Sequence, residues 1–150
     1  LHLSLRRQRQ MCIRDSYEGG PQVRKGQPAE DILFEMQSRV ILELAQMGPY
    51  IIVGRCADAV LRSAGIPAVS LFICAPFEDR VRRRMEIGGI GQKEAEAAVR
   101  KIDKQRKKYY DTYTGQNWGA PENYDFCINS SVMGIEGTAE QVVAWIRGAW

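Results

Sequence analysis

At 150 residues the chain has room for one domain. It carries 21 Lys and Arg against 18 Asp and Glu, and its single histidine, His2, leaves no basis for a histidine-based catalytic triad or a histidine-rich zinc site. No apolar run approaches the roughly 20 residues that cross a bilayer as a helix, so no membrane partner is expected.

The first sixteen residues, LHLSLRRQRQMCIRDS, read as foreign. Arg6 to Asp15 can be written CGT CGG CAG CGT CAG ATG TGT ATA AGA GAC, which resembles a transposon-tagging sequencing adapter. Leu1-His2 can be CTA CAC from the same source. The alternative is a basic arm or targeting peptide, and either kind of segment is excluded before the fold is read. The native part is then expected to start near Tyr17, inside a reading frame cut at its 5′ end. Two regions follow: an adapter-derived segment, 1–16, and the C-terminal part of a single domain, 17–150. Removing four arginines and one aspartate from the totals leaves 17 charges of each sign. The basic excess disappears, and with it the compositional argument for a nucleic-acid partner. The remaining cysteines, Cys56, Cys74 and Cys127, form no CxxC pair. They read as small buried apolar residues in a reducing compartment, the cytoplasm.

Residues 17–28 are rich in Gly, Pro and Gln and read as a loop. From Ala29 to Met47 the positions Ile32, Leu33, Met36, Val40, Leu44 and Met47 recur at three- and four-residue steps, the pattern of one helix face. Gly48-Pro49 stops it. Tyr50–Val53 reads as a short buried strand that turns at Gly54 and presents Arg55 and Asp58 at the entry to a short helix, 57–64. Ala68–Cys74 is almost continuously apolar, as in a parallel strand buried on both faces. Pro76 then suits the first position of a helix that reaches about Ile87 and breaks at Gly88-Gly89. A second helix is expected from about Gln92 to Tyr110, and 111–123 as an ordered polar loop. Phe126–Ile128 centres another strand. Thr138 and Gln141 have capping-box spacing before a final helix that buries Val142, Val143 and Ile146. Strands alternating with helices argue for a parallel α/β sheet.

Arginines carry the chemistry. Arg80, Arg83 and Arg84 share one helix face by their i, i+3, i+4 spacing. Guanidinium forks match planar phosphoryl oxygens, and phosphoryl transfer consists mostly of positioning and electrostatics. The alternative is a solvated basic face. Asp103 and Arg106, three apart on the next helix, are either lid residues over bound phosphates or a surface ion pair with each other. Arg55 and Asp58 are either ligand contacts at a strand end or a local ion pair. Trp118 and the neighbouring tyrosines either stack on a base or pack the loop. Cys56, beside Arg55, reads as an inert thiol.

The stretches YIIVGRCADAVL, LFICAPFEDRVRRRM and KIDKQRKKYYDTYTGQNWGAPENYDFCINSS together resemble the cytidylate kinase-like family, a branch of the P-loop nucleoside monophosphate kinases. The resemblance covers about Ala29 to Trp150. It implies a five-stranded parallel α/β sheet with flanking helices and a helical lid, and transfer of the ATP γ-phosphoryl group to a pyrimidine nucleoside monophosphate with Mg²⁺. By position, Arg55 matches the nucleotide-contacting Gly-Arg arginine, with Asp58 as the nearby acid. Arg80, Arg83 and Arg84 match the arginine-bearing helix, and Asp103 and Arg106 the Asp-x-x-Arg of the lid. Two departures stand out. Cys56 occupies the place where cytidylate kinases carry Asp after Gly-Arg, which leaves the nucleobase open. The Gly-rich phosphate loop is absent from the chain, because Gly88-Gly89-Ile90-Gly91 joins two helices rather than a strand to a helix. In the family that loop follows a central first strand, so the sheet is expected to be incomplete. The 150-residue chain is expected to be marginally stable and inactive alone. A nucleotide-binding regulatory protein without kinase activity is the alternative.

Overall fold

The computed structural model describes residues 27–149, with side chains to 148. The expected boundary at Tyr17 lies outside the described residues. The chain divides into two compact units at Ala68/Val69, and each is described by itself.

The first unit contains α1 (Ala29–Met47) and α2 (Ala57–Ser63). Glu30 and Asp31 lie in the first turn of α1, where acids favour the helix dipole. Ile41, Ala57 and Leu61 form the buried centre, with Leu42, Ala45, Ile52, Val60 and Ile66 packed around it. The contact face of α1 is thus displaced from the expected stripe: Leu33 and Met47 of that stripe are exposed. Its register follows from the partner, because Ile41, Leu42 and Ala45 meet α2.

Tyr50–Val53 does not form the expected strand among the described residues. Ile52 packs inward, while Ile51 is 87% and Val53 82% exposed. The alternation is that of an extended segment, but among the described residues no strand pairs with it, and a strand exists only as a member of a ladder. Gly54, Arg55 and Cys56 then follow with φ of 75°, 60° and 55°. Three consecutive left-handed residues make a tight turn into α2, and at Arg55 and Cys56 this conformation is costly for an L side chain.

The second unit contains β1 (Leu71–Cys74), α3 (Phe77–Gly88), α4 (Gln92–Thr114), a 3₁₀ turn (Pro121–Asn123), β2 (Phe126–Asn129) and α5 (Gly134–Ala149). β1 and β2 pair in parallel, with Leu71 opposite Phe126 and Cys74 opposite Asn129. Two strands, rather than the five the resemblance implies, make up the sheet among the described residues. β1 is shorter than expected and is not buried on both faces, since Ile73 and Cys74 are exposed. Cys127 is exposed as well, so only Cys56 of the three cysteines is buried.

Pro76 caps α3 from outside rather than opening its first turn, and Gly89 ends it in the left-handed conformation. α4 runs one turn past the expected end, to Thr114, whose hydroxyl donates to the Tyr110 carbonyl at 2.7 Å. Gly115, with φ of 68°, closes the helix. The α3–α4 hairpin is held by Val81, Ala95 and Val99, with Phe77, Met85 and Ile90 around them.

Two expectations for α5 fail. The helix begins at Gly134, and Thr138 lies inside it, donating to the Gly134 carbonyl at 2.6 Å. A threonine hydroxyl can serve a carbonyl one turn back as well as cap a helix. Val143 and Ile146 are exposed, while Trp145 packs on Phe126 with ring centres 4.0 Å apart.

Candidate functional site

β1 ends at Cys74, Ala75 and Pro76 follow, and the chain enters α3 with Arg80 one turn along. Its guanidinium is held at two corners. Nε donates to the Ala75 carbonyl at 3.0 Å, and Nη1 donates to both Asp103 carboxylate oxygens of α4 at 2.8 and 2.6 Å. Asp103 therefore pairs across the hairpin with Arg80, not with Arg106 along its own helix. The cause is reach: the hairpin places Asp103 opposite the start of α3, where the arginine is already oriented by the strand end.

The other arginines differ. Arg83, Arg84 and Arg106 are exposed, and none of the ion pairs among the described residues includes them. Arg82, off the expected face, pairs with Asp79 at 3.1 Å. Arg100 lies over the Phe77 ring, 4.3 Å from its centre. A cleft of about 480 Å³ opens on this side of the hairpin between Phe77, Val81 and Met85 and the polar side chains Gln92, Glu96 and Arg100. Gln92 and Glu96 in its lining bond to each other at 3.0 Å.

The polar loop after α4 is built on aromatic packing. Phe72 of β1 meets Trp118 edge-on at 5.5 Å and Tyr124 at 4.9 Å. Asp111 accepts the Trp118 backbone N–H at 2.8 Å and pairs with Lys107 at 2.6 Å. These bonds hold its carboxyl below the ordinary carboxylate range. Asn123 donates to the Asn117 carbonyl at 2.8 Å. Gly119 has φ of 78°, and a Cβ there would stand 3.0 Å from the Phe72 ring. Trp118 and Tyr124 thus pack the loop. Sequence reasoning missed Asp111, Phe72 and Gly119 as its organisers; the spacing of Asp111 from Trp118 offered a signal only once the helix was known to reach Thr114.

In the other unit, Arg55 is exposed at the left-handed turn and Asp58 is half-buried in the first turn of α2. These two belong to one unit, and Arg80, Arg83, Arg84, Asp103 and Arg106 to the other. Cys56 is buried, and burial, with Asp58 adding to it and Arg55 opposing, pushes its thiol up to about 11. A thiol so raised keeps its proton at neutral pH, and the thiolate is the reactive form. Among the described residues no group of three His, Cys, Asp or Glu side chains is placed to hold a metal ion. No described helix is long and apolar enough to cross a membrane.

A parallel strand pair leads into an arginine-bearing helical hairpin, four of whose guanidiniums, those of Arg83, Arg84, Arg100 and Arg106, stand outside the ion pairs of the described residues. The comparisons narrow the class. The sequence profile of the cytidylate kinase-like family matches residues 4–132, and the chain belongs to that family. The match takes in part of the segment 1–16. An uncharacterized protein from Eubacterium ventriosum ATCC 27560, known by crystal structure, is similar at 30% identity with a TM-score of 0.73, over 82% of this chain and 69% of that one. No curated protein matches. At the level of the family this is a nucleotide kinase-like protein.

Proposed function

We propose that the complete protein transfers the γ-phosphoryl group of ATP to a pyrimidine nucleoside monophosphate in the cytoplasm. The observation that carries this reading is the state of Arg83, Arg84 and Arg106: exposed, outside the ion pairs of the described residues, and within the stretch that matches the kinase-like family. Arginines crowded on one hairpin repel one another unless anions sit against them, and phosphoryl oxygens are anions of the right geometry. Arg55 is assigned to the monophosphate. Asp58 supports the same turn through the α2 dipole.

The exposed guanidiniums of Arg83, Arg84 and Arg106 suit phosphoryl oxygens. Magnesium commonly reaches such sites on substrate phosphates with one or two carboxylates and several waters, so a dedicated protein cage is not needed. ATP would supply the phosphoryl group, and magnesium bound with it would neutralise developing charge. The chain's own residues bind and orient: Arg83, Arg84 and Arg106 face the transferred group, with no covalent intermediate on the protein. The sequence contains no G-x-x-x-x-G-K-[ST] loop, so the 150-residue chain by itself is proposed to be inactive.

The test is ADP release by the complete gene product with ATP and CMP, dCMP or UMP. Arg84→Ala is expected to lower kcat by about a hundredfold, the scale of removing one preorganised donor to developing charge. Unchanged turnover in Arg83→Ala, Arg84→Ala and Arg106→Ala would remove the reading.

A further inference from the structure

We infer that Asp103 acts through Arg80: it positions that guanidinium for an anionic ligand and does not itself meet the nucleotide or its metal. The inference rests on the phosphoryl-transfer reading above and gives one acid of that site a different task from the one its place beside Arg106 suggests.

Three observations support it. Both Asp103 oxygens are spent on a single nitrogen, Nη1 of Arg80. These bonds take up two of the roughly four lone-pair sites of the carboxylate and turn both of its oxygens toward Arg80. Arg80 is also tied through Nε to the Ala75 carbonyl, at the end of the strand. Two of its three nitrogens are therefore fixed to two different elements, which sets the plane of the guanidinium. The third nitrogen, Nη2, carries no hydrogen bond among the described residues, and the side chain remains 35% exposed. The group is oriented by the protein yet keeps two N–H donors for a ligand. This is preorganisation: the donor does not have to be ordered when the anion arrives. Arg83, Arg84 and Arg106 lack such anchors and must be ordered by the ligand itself.

A positioning role separates from a purely structural one, and from direct contact with metal or nucleotide, by a double-mutant cycle on the complete gene product. ATP with Mg²⁺ and the best monophosphate among CMP, dCMP and UMP are the probes. Asp103→Ala is expected to lower kcat/KM by roughly ten- to hundredfold, the scale of a small misplacement of a catalytic group. Asp103→Asn, which keeps an acceptor for Nη1, recovers part of the loss. Arg80→Met is expected to match Asp103→Ala, and the double variant to be no worse than Arg80→Met alone. The Mg²⁺ concentration giving half-maximal rate stays constant across the set. Losses that multiply in the double variant, or a raised Mg²⁺ requirement in Asp103→Asn, would overturn the inference while leaving the kinase reading intact. So would a lowered melting temperature with unchanged kinetics. A wild-type protein that turns over none of the three monophosphates removes the kinase reading, and this inference with it, before any variant is compared.

Discussion

Two apolar runs of similar length meet different fates. Leu71–Cys74 pairs in parallel with Phe126–Asn129, and its Phe72 anchors Trp118 and Tyr124. Tyr50–Val53 is as apolar, yet it forms no ladder among the described residues and leaves Ile51 and Val53 in solvent. Composition made both look like strands. A partner made only one of them so. The lesson is that β-propensity describes fitness for a half-buried pleated surface, and the surface has to be present.

The largest test of this contrast is Phe72→Ala. Phe72 joins β1 to the loop that follows α4, so its loss is expected to cost about 3 kcal/mol, read from the urea midpoint of the 150-residue chain. Next comes Gly119→Ala. The left-handed φ and the 3.0 Å approach to Phe72 act together, and a cost of about 2 kcal/mol is expected, with Trp118 fluorescence reporting the displaced loop. If Gly119→Ala is neutral, Phe72 yields easily and the aromatic cluster is softer than its geometry indicates.

Acid tests the same loop by another route. The Asp111 carboxyl titrates below its ordinary value because Lys107 and the Trp118 N–H bond to its charged form. A depressed folded value gives stability that is fully present above the ordinary carboxylate range and is lost as pH falls through the folded value. Asp111→Asn is expected to flatten the acid limb of stability below about pH 4. An acid limb that stays the same would assign the loss to other carboxylates.

The smallest effect belongs to the unpaired run. Ile51→Thr in this chain is expected to change stability by no more than about 0.5 kcal/mol, as for other exposed positions. In a gene product extended upstream of Tyr17 the same change sharpens the comparison. A cost of several kcal/mol there would mean that an added strand lies against Tyr50–Val53; no cost would leave the segment a loop.

Much of the fold could be read in advance because its signals are local. Gly89 ends α3 by backbone geometry that few other residues adopt, and Pro76 stands at the entry to α3. What could not be read depends on distant partners. The face of α1 is set by α2, so Ile41 is buried and Met47 is not. Thr138 has the right spacing for a cap, but spacing does not say which carbonyl its hydroxyl will reach. The candidate site divides the same way. The shared face of Arg80, Arg83 and Arg84 follows from helical period. That Asp103 belongs to Arg80 rather than to Arg106 depends on how α3 and α4 lie against each other, and no single helix carries that information.

The central claim is that the unpaired arginines of the α3–α4 hairpin serve phosphoryl transfer. Its most direct test is transfer of label from γ-labelled ATP to CMP, dCMP and UMP by the complete gene product. The account predicts a labelled nucleoside diphosphate from at least one of the three, formed only with Mg²⁺ and reduced about a hundredfold by Arg84→Ala. Binding of ATP with no labelled diphosphate from any of them would contradict it and leave a nucleotide-binding protein in place of a kinase.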